Sequence, residues 1–457
     1  DPRNCHSNLQ LEQTLLAKKM EGLGQTEKLD HVAIEIGHEH NLVHSIKEKM
    51  ENFSLLHSVC RISEEISEGN QEKYSPSLLS IGPFHHGKNN LNVMEDLKWQ
   101  YFNTLLNRNP NAETILDTCV KTLKHSEQKA RKFYGELVNM ESDKFVEIML
   151  VDGCFIIELF LEYSMKNLRR RDDPIFFSTD SKMFWLRCDM ILLENQIPFW
   201  VLQKLFYIVV IKQCGNMSLM ELALCFFRKL LPGDGQIPQD KFGPEIHNLL
   251  DLIRQQYLPT MPRTRSTGGQ KSLLSGATDL QLAGIRLRRA ANEVPLNVRL
   301  INRELQIPPF KVNGYTEILF RNLIALERSH HQCSKTITSY AIFMASLIQN
   351  VNDARILRSK RILIDGSHER EGEILDLMKK LHVEINVTDF YYGEICRQIN
   401  DHQKSRRQTR CQLQAMRDIN YRRELGVLGF ILAIVLLVFL FIAIFFSIVA
   451  FLLHHFH

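Results

Sequence analysis

The spacing of apolar residues changes character several times along this chain. Up to about residue 58 charged residues dominate and apolar ones recur without strong order, which predicts a variable arm (1–58) with one helix near Leu42–Leu56. Arg61–Pro83 is polar and turn-rich, with Tyr74-Ser75-Pro76 and Ile81-Gly82-Pro83. Met94, Leu97, Tyr101, Leu105 and Leu106 then recur at the spacing of one helix face, and Asn109-Pro110 ends that pattern. A second pattern runs from Ser142, in N-cap position with Asp143 behind it, through Leu168, and Arg169–Pro174 closes it. Met183–Ile211 is strongly apolar but broken at Asn195-Gln196-Ile197-Pro198. Proline lacks an N–H, so a kink or fresh helix start is expected at Pro198. Arg187, Asp189, Glu194, Asn195 and Lys204 would be costly in lipid, so this stretch reads as core helices and not as a membrane span.

Leu258–Ser272, with Pro259, Pro262, Gly268 and Gly269, reads as a flexible linker. Beyond it a helix is expected over Asp279–Ala291 and a short strand or extended crossing over Val298–Phe310. Helices follow over Thr316–Glu327 and Thr338–Val351, a short strand over Val383–Val387, and a long helix over Tyr391–Glu424. The expected organisation is therefore an arm (1–58), a first helical part (59–257), a basic linker (258–275), and a second helical part with a juxtamembrane helix (276–424). A transmembrane helix (425–453) completes it, giving a mainly α fold with a large helical body, a few short strands and a single C-terminal span.

That last segment is the clearest signal. Leu425–Leu453 carries no charge and is apolar on every face, whereas ~20 residues at ~1.5 Å each suffice to cross ~30 Å of hydrocarbon. Ahead of it Arg397, Lys404, Arg406, Arg407, Arg410, Arg417, Arg422 and Arg423 stand against Asp401, Asp418 and Glu424. A basic flank binds anionic head groups and favours the cytosolic side for the body, on a plasma membrane or endomembrane. Gly429 and Ala433 form a small-xxx-small pair, the spacing of a helix-dimerisation face and the basis for a homo-oligomer. The start, Asp1-Pro2-Arg3-Asn4, has no apolar run of a secretory signal.

Charge and cysteine usage narrow the classes. The net charge of +4 over 457 residues gives no clustered basic face with interleaved aromatics, so nucleic acid is not an expected partner. None of the ten cysteines forms a C-x-x-C pair, and most lie in apolar helical text as reduced, core-filling thiols. Gly268-Gly269-Gln270-Lys271-Ser272 fails as a phosphate loop, because Gln270 precedes the lysine and Arg265 occupies the first glycine position. Gly233-Asp234-Gly235 lacks the third glycine of a dinucleotide fingerprint. His38-Glu39-His40 with His44 is not H-E-x-x-H and has no committed further ligand. No metal or cofactor is therefore expected. Asp152, Glu158, Asp189 and Glu194 sit in very apolar text, the setting in which a carboxyl is either catalytic or paired. Pairing with Arg187 or Arg321, or capping of backbone, is the expectation, and His85-His86 beside a Gly-Pro turn reads as turn-stabilising.

Several segments together resemble the plant family called domain of unknown function 247. They are Tyr74-Ser75-Pro76; Ser80-Ile81-Gly82-Pro83-Phe84-His85-His86-Gly87; Met94-Glu95 with Lys98; and Asp152-Gly153-Cys154-Phe155-Ile156-Ile157-Glu158-Leu159. Leu192-Leu193-Glu194-Asn195-Gln196-Ile197-Pro198-Phe199, Ala283-Gly284-Ile285, Leu305-Gln306-Ile307-Pro308, Thr316-Glu317, Phe320–Ala325, and Ser339-Tyr340 with Phe343-Met344 continue the match in order. Two departures stand out: Cys60-Arg61-Ile62-Ser63 lacks the proline usual near the family's start, and Tyr421–Gly429 lacks its usual Pro-Trp. The resemblance implies a large helical body with a C-terminal membrane helix and no established activity. Some grass members are associated with self-incompatibility as candidate male-side recognition determinants. The expected function is accordingly a non-enzymatic, membrane-anchored recognition or signalling protein with a protein partner. An enzyme using the buried carboxylates and a self-associating scaffold are the alternatives.

Overall fold

The computed structural model describes residues 59–455 apart from 63–68, 136, 172, 177–179, 211–216, 233–245, 260–273, 291–295, 331–332, 366–370 and 382–389. The helix near Leu42–Leu56, the strand at Val383–Val387, the His38–His44 group, both glycine-rich segments and most of the linker lie outside the described residues.

Among the described residues seven α-helices precede the linker: α1 (Asn92–Asn107), α2 (Ala112–Lys132), α3 (Ser142–Ser164), α4 (Asp180–Met190), α5 (Phe199–Val209), α6 (Leu219–Phe226) and α7 (Leu249–Tyr257). α3 is apolar all round, and such a helix must be wrapped by others. α1, α2, α5 and α6 pack against it, so that Phe145, Phe155, Ile156, Ile157 and Phe160 are fully buried. Each such side chain contributes about 1.5–3 kcal/mol of burial. α2 is amphipathic, turning Cys119, Leu123 and Ala130 inward.

The second half contains α8 (Ala277–Leu282), β1 (Arg286–Arg289), β2 (Arg299–Ile301), β3 (Glu304–Ile307), β4 (Phe310–Val312), α9 (Thr316–Ser329), α10 (Thr336–Leu347), α11 (Val351–Ser359), β5 (Leu363–Asp365), α12 (Glu371–Leu381) and α13 (Gly393–His455). The strands form a sheet in the order β1-β3-β2 and a β4–β5 pair. β1 runs parallel to β3, while β2 and β3 form an antiparallel hairpin with Ile301 opposite Glu304. Asn302 and Arg303, both at positive φ, make its two-residue turn. α10 and α12 pack on α9, and α7 joins α9 across the halves. One hydrophobic cluster runs from Val59 to Ile399 through both halves.

Three local expectations are corrected. Asp279–Ala291 is not one helix: α8 stops at Leu282 and β1 begins at Arg286. Gly284, at φ +81, ends it, with its N–H on the Gln281 carbonyl and the Ile285 N–H on the Leu280 carbonyl. This is a Schellman stop, which needs a left-handed residue after the cap. Val298–Phe310 is not one crossing segment but two strands and their turn, leading into β4. Ser142 does not cap α3: Glu141 holds the cap position, and Ser142 Oγ donates to Glu127 (2.5 Å) and accepts from Lys124 (2.6 Å), tying α3 to α2. Elsewhere the break between α4 and α5 falls at Pro198, which serves as the α5 N-cap.

α13 is continuous from the body into the apolar segment. Its first turns are core, with Ile395, Cys396 and Ile399 buried. Tyr421–Phe451 is 31 residues long, and the 18-residue apolar stretch within it has a mean hydropathy of 3.4 with none of it buried. A soluble core helix of that composition would be covered by its neighbours. This helix is long and apolar enough to cross a membrane.

Candidate functional site

The motif-bearing residues converge on one irregular segment, 77–88, which crosses the core without forming a helix or strand. Buried backbone without regular structure needs side-chain partners for its N–H groups. Three side chains supply them, and a fourth, Glu194, holds the chain upstream. Asp189, at the end of α4, accepts from the N–H groups of Ser77 (3.1 Å), Leu78 (2.7 Å) and Leu79 (2.8 Å). Asn195 Oδ1 accepts from Ile81 N–H (2.6 Å), and its amide donates to the carbonyls of Leu79 and Asp189 (both 2.9 Å). Asp152, from mid-α3, accepts from Gly82 N–H (2.8 Å). Glu194 accepts from Ile62 N–H (2.7 Å) just upstream. The segment is thus clasped from α3, from α4 and from the 191–198 connection.

A buried charge cluster closes the clasp. Lys98 of α1 is fully buried, with Nζ 2.7 Å from Asp152, 2.7 Å from Glu95 and 3.1 Å from Ser80 Oγ. Ser80 Oγ in turn donates to Glu95 (2.7 Å). Burial pushes the Asp152 carboxyl above its ordinary value although Lys98 pulls the other way. For Glu95, burial is outweighed by Lys98, Ser80 and His86 together, and it lies below the carboxylate range. Glu95 is therefore the stronger counter-charge to Lys98.

His85 and His86 point apart, as adjacent residues in an extended segment must. His85 Nε2 lies 3.2 Å from Glu194, and Lys88 Nζ lies 2.8 Å from its Nδ1. Lysine only donates, so Nδ1 accepts and the ring proton sits on Nε2. His86 faces Glu95 at 3.7 Å. Pro83 is buried, and Gly87 is exposed at φ +81 where the segment turns out. Gln196 donates to the carbonyls of Met190 (2.8 Å) and Leu192 (2.9 Å), while its own carbonyl accepts from Tyr134 (3.1 Å). Gly153 faces Leu205 of α5, with room for no side chain.

Glu158 is not part of this cluster. Further along α3, it and Glu162 are fully buried beside Arg108, at 2.5 and 3.8 Å. Burial pushes Glu158 up to about 8, with Arg108 opposing and Glu162 adding to the rise. Tyr101 donates to Asp173 (2.7 Å), which also faces Arg170 (3.1 Å), in the adjoining layer. Gly429 and Ala433 lie exposed on the apolar helix. Among the described residues no group of three His, Cys, Asp or Glu has metal-holding geometry. Eight of the cysteines lie among the described residues, and Cys119, Cys154, Cys188 and Cys396 are buried.

The expected arginine partners of the buried acids are corrected. Arg187 donates to the Phe226 carbonyl (3.0 Å) and lies over the Phe226 and Tyr163 rings. Arg321 pairs with Glu317 (3.1 Å) and reaches Asn70. The actual partners are Lys98, Arg108, His85 and backbone. Lys98 was legible as a lysine on the apolar Met94–Leu97–Tyr101 face, a position that requires a buried acid. Arg108, Tyr134 and Asn322 carry no such signal. Asn322, which accepts from Leu193 N–H (2.9 Å) and donates to the Lys73 carbonyl (3.0 Å), ties the second half to the clasp.

Comparisons with known proteins agree with this pattern of residues. The model of the family domain of unknown function 247, described as plant protein of unknown function, matches residues 59–439. The UPF0481 protein At3g47200 of Arabidopsis thaliana is 29% identical over 371 residues, covering 76% of this chain and 77% of its own. The putative UPF0481 protein At3g02645 of the same plant is 26% identical over 210 residues, 44% of this chain and 38% of its own. No solved structure matches. The matched region takes in every segment of the clasp and most of the apolar helix, and the chain belongs to the plant family of domain of unknown function 247.

Proposed function

We propose that this protein is a non-enzymatic recognition component, tethered to a membrane by α13 and presenting its helical body to a protein partner. The observation that carries the reading is the continuity of α13, which is core at Ile395 and Ile399 and bare apolar surface from Leu425 onward. Such a helix holds a folded body at a membrane surface without a flexible stalk. The engagement of Asp152, Asp189 and Glu194 with backbone and buried partners supports a scaffold over a reaction centre. Pollen–stigma self-recognition, with which some grass relatives are associated, is the specific form of this reading. Equal capture of self and non-self stigma proteins by the full chain would sink that form.

Topology is the direct test. The sequons at Asn52, Asn216 and Asn386 are modified only in a secretory lumen. The full chain, expressed in plant cells, is treated with glycosidase and probed with protease on intact vesicles. A glycosidase shift with protection supports a body that meets the partner cell directly. An unshifted, protease-sensitive body supports a cytosolic role downstream of that contact. Extraction of the chain by carbonate without detergent would overturn the tether.

A further inference from the structure

The sheet β1-β3-β2 ends on an unusually basic strand, and the space beside it is a groove. The open groove has a volume of about 580 Å³ and is lined by Arg286, Arg288, Arg289, Lys360 and Glu304, with Gly284 at one end. β1 is an edge strand whose sole strand partner among the described residues is β3. Arg286 N–H donates to the Arg303 carbonyl and Ala290 N–H to the Ile307 carbonyl. In a parallel ladder the even positions of β1 therefore face β3, and the N–H and C=O of Leu287 point to the groove side.

The side chains set the chemistry of what fits there. On the exposed face, β3 places Glu304 opposite Arg286 and Gln306 opposite Arg288. Arg288 already reaches Glu304 at 3.3 Å, so the one acid of the groove is engaged. A strand added outside β1 would set every second side chain on this same face, beside Arg286 and Arg288. Lys360 adds a further exposed cation.

We infer that the β1 edge is a docking site for an extended, acidic segment of a protein partner, which adds as a fourth strand with acidic residues at alternate positions. Main-chain bonds at Leu287 give the register and the arginines give the selection. This names the contact surface of the recognition role proposed above and rests on that reading. A membrane surface fits less well. Arg406 of α13 anchors the site by donating to the Ala283 carbonyl (3.0 Å). The uncharged span begins at Leu425; at ~1.5 Å per residue that start is ~28 Å further along the helix. A screening length of ~8 Å leaves little attraction over that distance. The basic residues next to the span, Arg422 and Arg423, are the ones within reach of head groups.

The test uses the full chain in phosphatidylcholine nanodiscs and a short fluorescent peptide alternating Glu with Val. Fluorescence anisotropy is expected to detect binding that weakens about tenfold when Glu is replaced by Gln, and again when alternate peptide nitrogens are methylated. Arg286→Glu with Arg288→Glu should weaken it at least as much, while Arg397→Glu, on the outer face of α13, should leave it unchanged. Equal binding of the methylated peptide would overturn strand addition. Binding insensitive to the arginine changes, or arginine-dependent capture of phosphatidylserine vesicles with no peptide binding, would overturn the site. Loss of the groove on these outcomes leaves the tether intact, because carbonate extraction and protease protection report on α13 alone.

Discussion

Replacing Asp152 by Ala removes two buried interactions at once. The carboxylate holds Lys98 Nζ at 2.7 Å and accepts Gly82 N–H at 2.8 Å, and Asp152, Gly82 and Lys98 are all buried. Removing one partner of a buried pair costs about 3–5 kcal/mol, chiefly because the remaining charge is stranded. Lys98 keeps Glu95, which places the pair term at the lower end, about 3 kcal/mol. The Gly82 N–H, left without an acceptor, costs about 1–3 kcal/mol. The two losses share one side chain and are not additive, so a total of about 3–5 kcal/mol is expected. That is a large share of the roughly 5–15 kcal/mol that holds a typical domain together.

Hydrogen exchange with mass spectrometry locates the effect. Peptides spanning 77–88 in the full chain should lose about two orders of magnitude of protection in Asp152→Ala, since ~1.4 kcal/mol is a factor of ten. Peptides from α11, which packs on α8, α12 and β5, should change least. Asp152→Asn keeps an acceptor for Gly82 and should fall between the variant and the native chain. Lys98→Met with Asp152→Leu removes both charges of this pair but leaves Glu95 without Lys98, so it should recover only part of the pair term. A catalytic carboxyl held against its preference gives the opposite sign: Asp152→Asn would then stabilise the fold. Unchanged protection in Asp152→Ala, or a stabilised Asp152→Asn, would refute the clasp.

Four further outcomes can be measured. Gly82 sits at φ +72, and a Cβ there would lie 2.8 Å from the Gln196 carbonyl and 3.0 Å from the Tyr134 hydroxyl, so Gly82→Ala should cost at least about 2 kcal/mol in urea midpoint analysis; a loss under about 0.5 kcal/mol would mean that the segment shifts freely. Burial raises Glu158 from 4.5 to about 8, so the fold retains a proton that the unfolded chain releases. The stability this group contributes is full below pH 4.5 and is lost as pH climbs to about 8, and Glu158→Gln should flatten that decline by roughly 2–4 kcal/mol; parallel pH profiles would exclude it. Glu194 has the reverse sign: burial is outweighed by His85 and the Ile62 N–H, its carboxyl lies below the ordinary range, and its contribution is full above 4.5 and lost as pH falls through the lowered value. Glu194→Gln should therefore soften acid unfolding with no change at neutral-to-alkaline slope, read by circular dichroism. For the apolar helix, Gly429→Leu with Ala433→Leu should abolish self-association in detergent if those residues form a helix contact; dimer retained in the double variant rejects that interface.

How much of this was legible in the sequence depended on whether the information was local. The helix faces of α1 and α3, the break at Pro198 and the apolar helix follow from periodicity and composition, which act within a few turns. The body's mainly helical architecture was readable for that reason. The strands were harder: β1 is four residues long and its opening text, Arg286–Arg289, has no apolar alternation beyond Leu287. Its existence depends on pairing with Glu304–Ile307 and on Gly284 adopting a left-handed turn, neither of which helix propensity reports. The clasp lies further still from local reading. Asp189, Asn195 and Asp152 were recognisable as polar residues in apolar text, and such residues must find partners. Their partners are backbone N–H groups 70 to 114 positions away, and a backbone N–H has no sequence signature. This also explains why, of the two expected solutions, backbone capping serves Asp152, Asp189 and Glu194 while Arg187 and Arg321 are not their partners. A buried acid in a helical protein does not require a cation when an irregular segment crosses the core beside it. That segment's own unpaired donors create the demand for acceptors, and Asp152, Asp189 and Asn195 answer it.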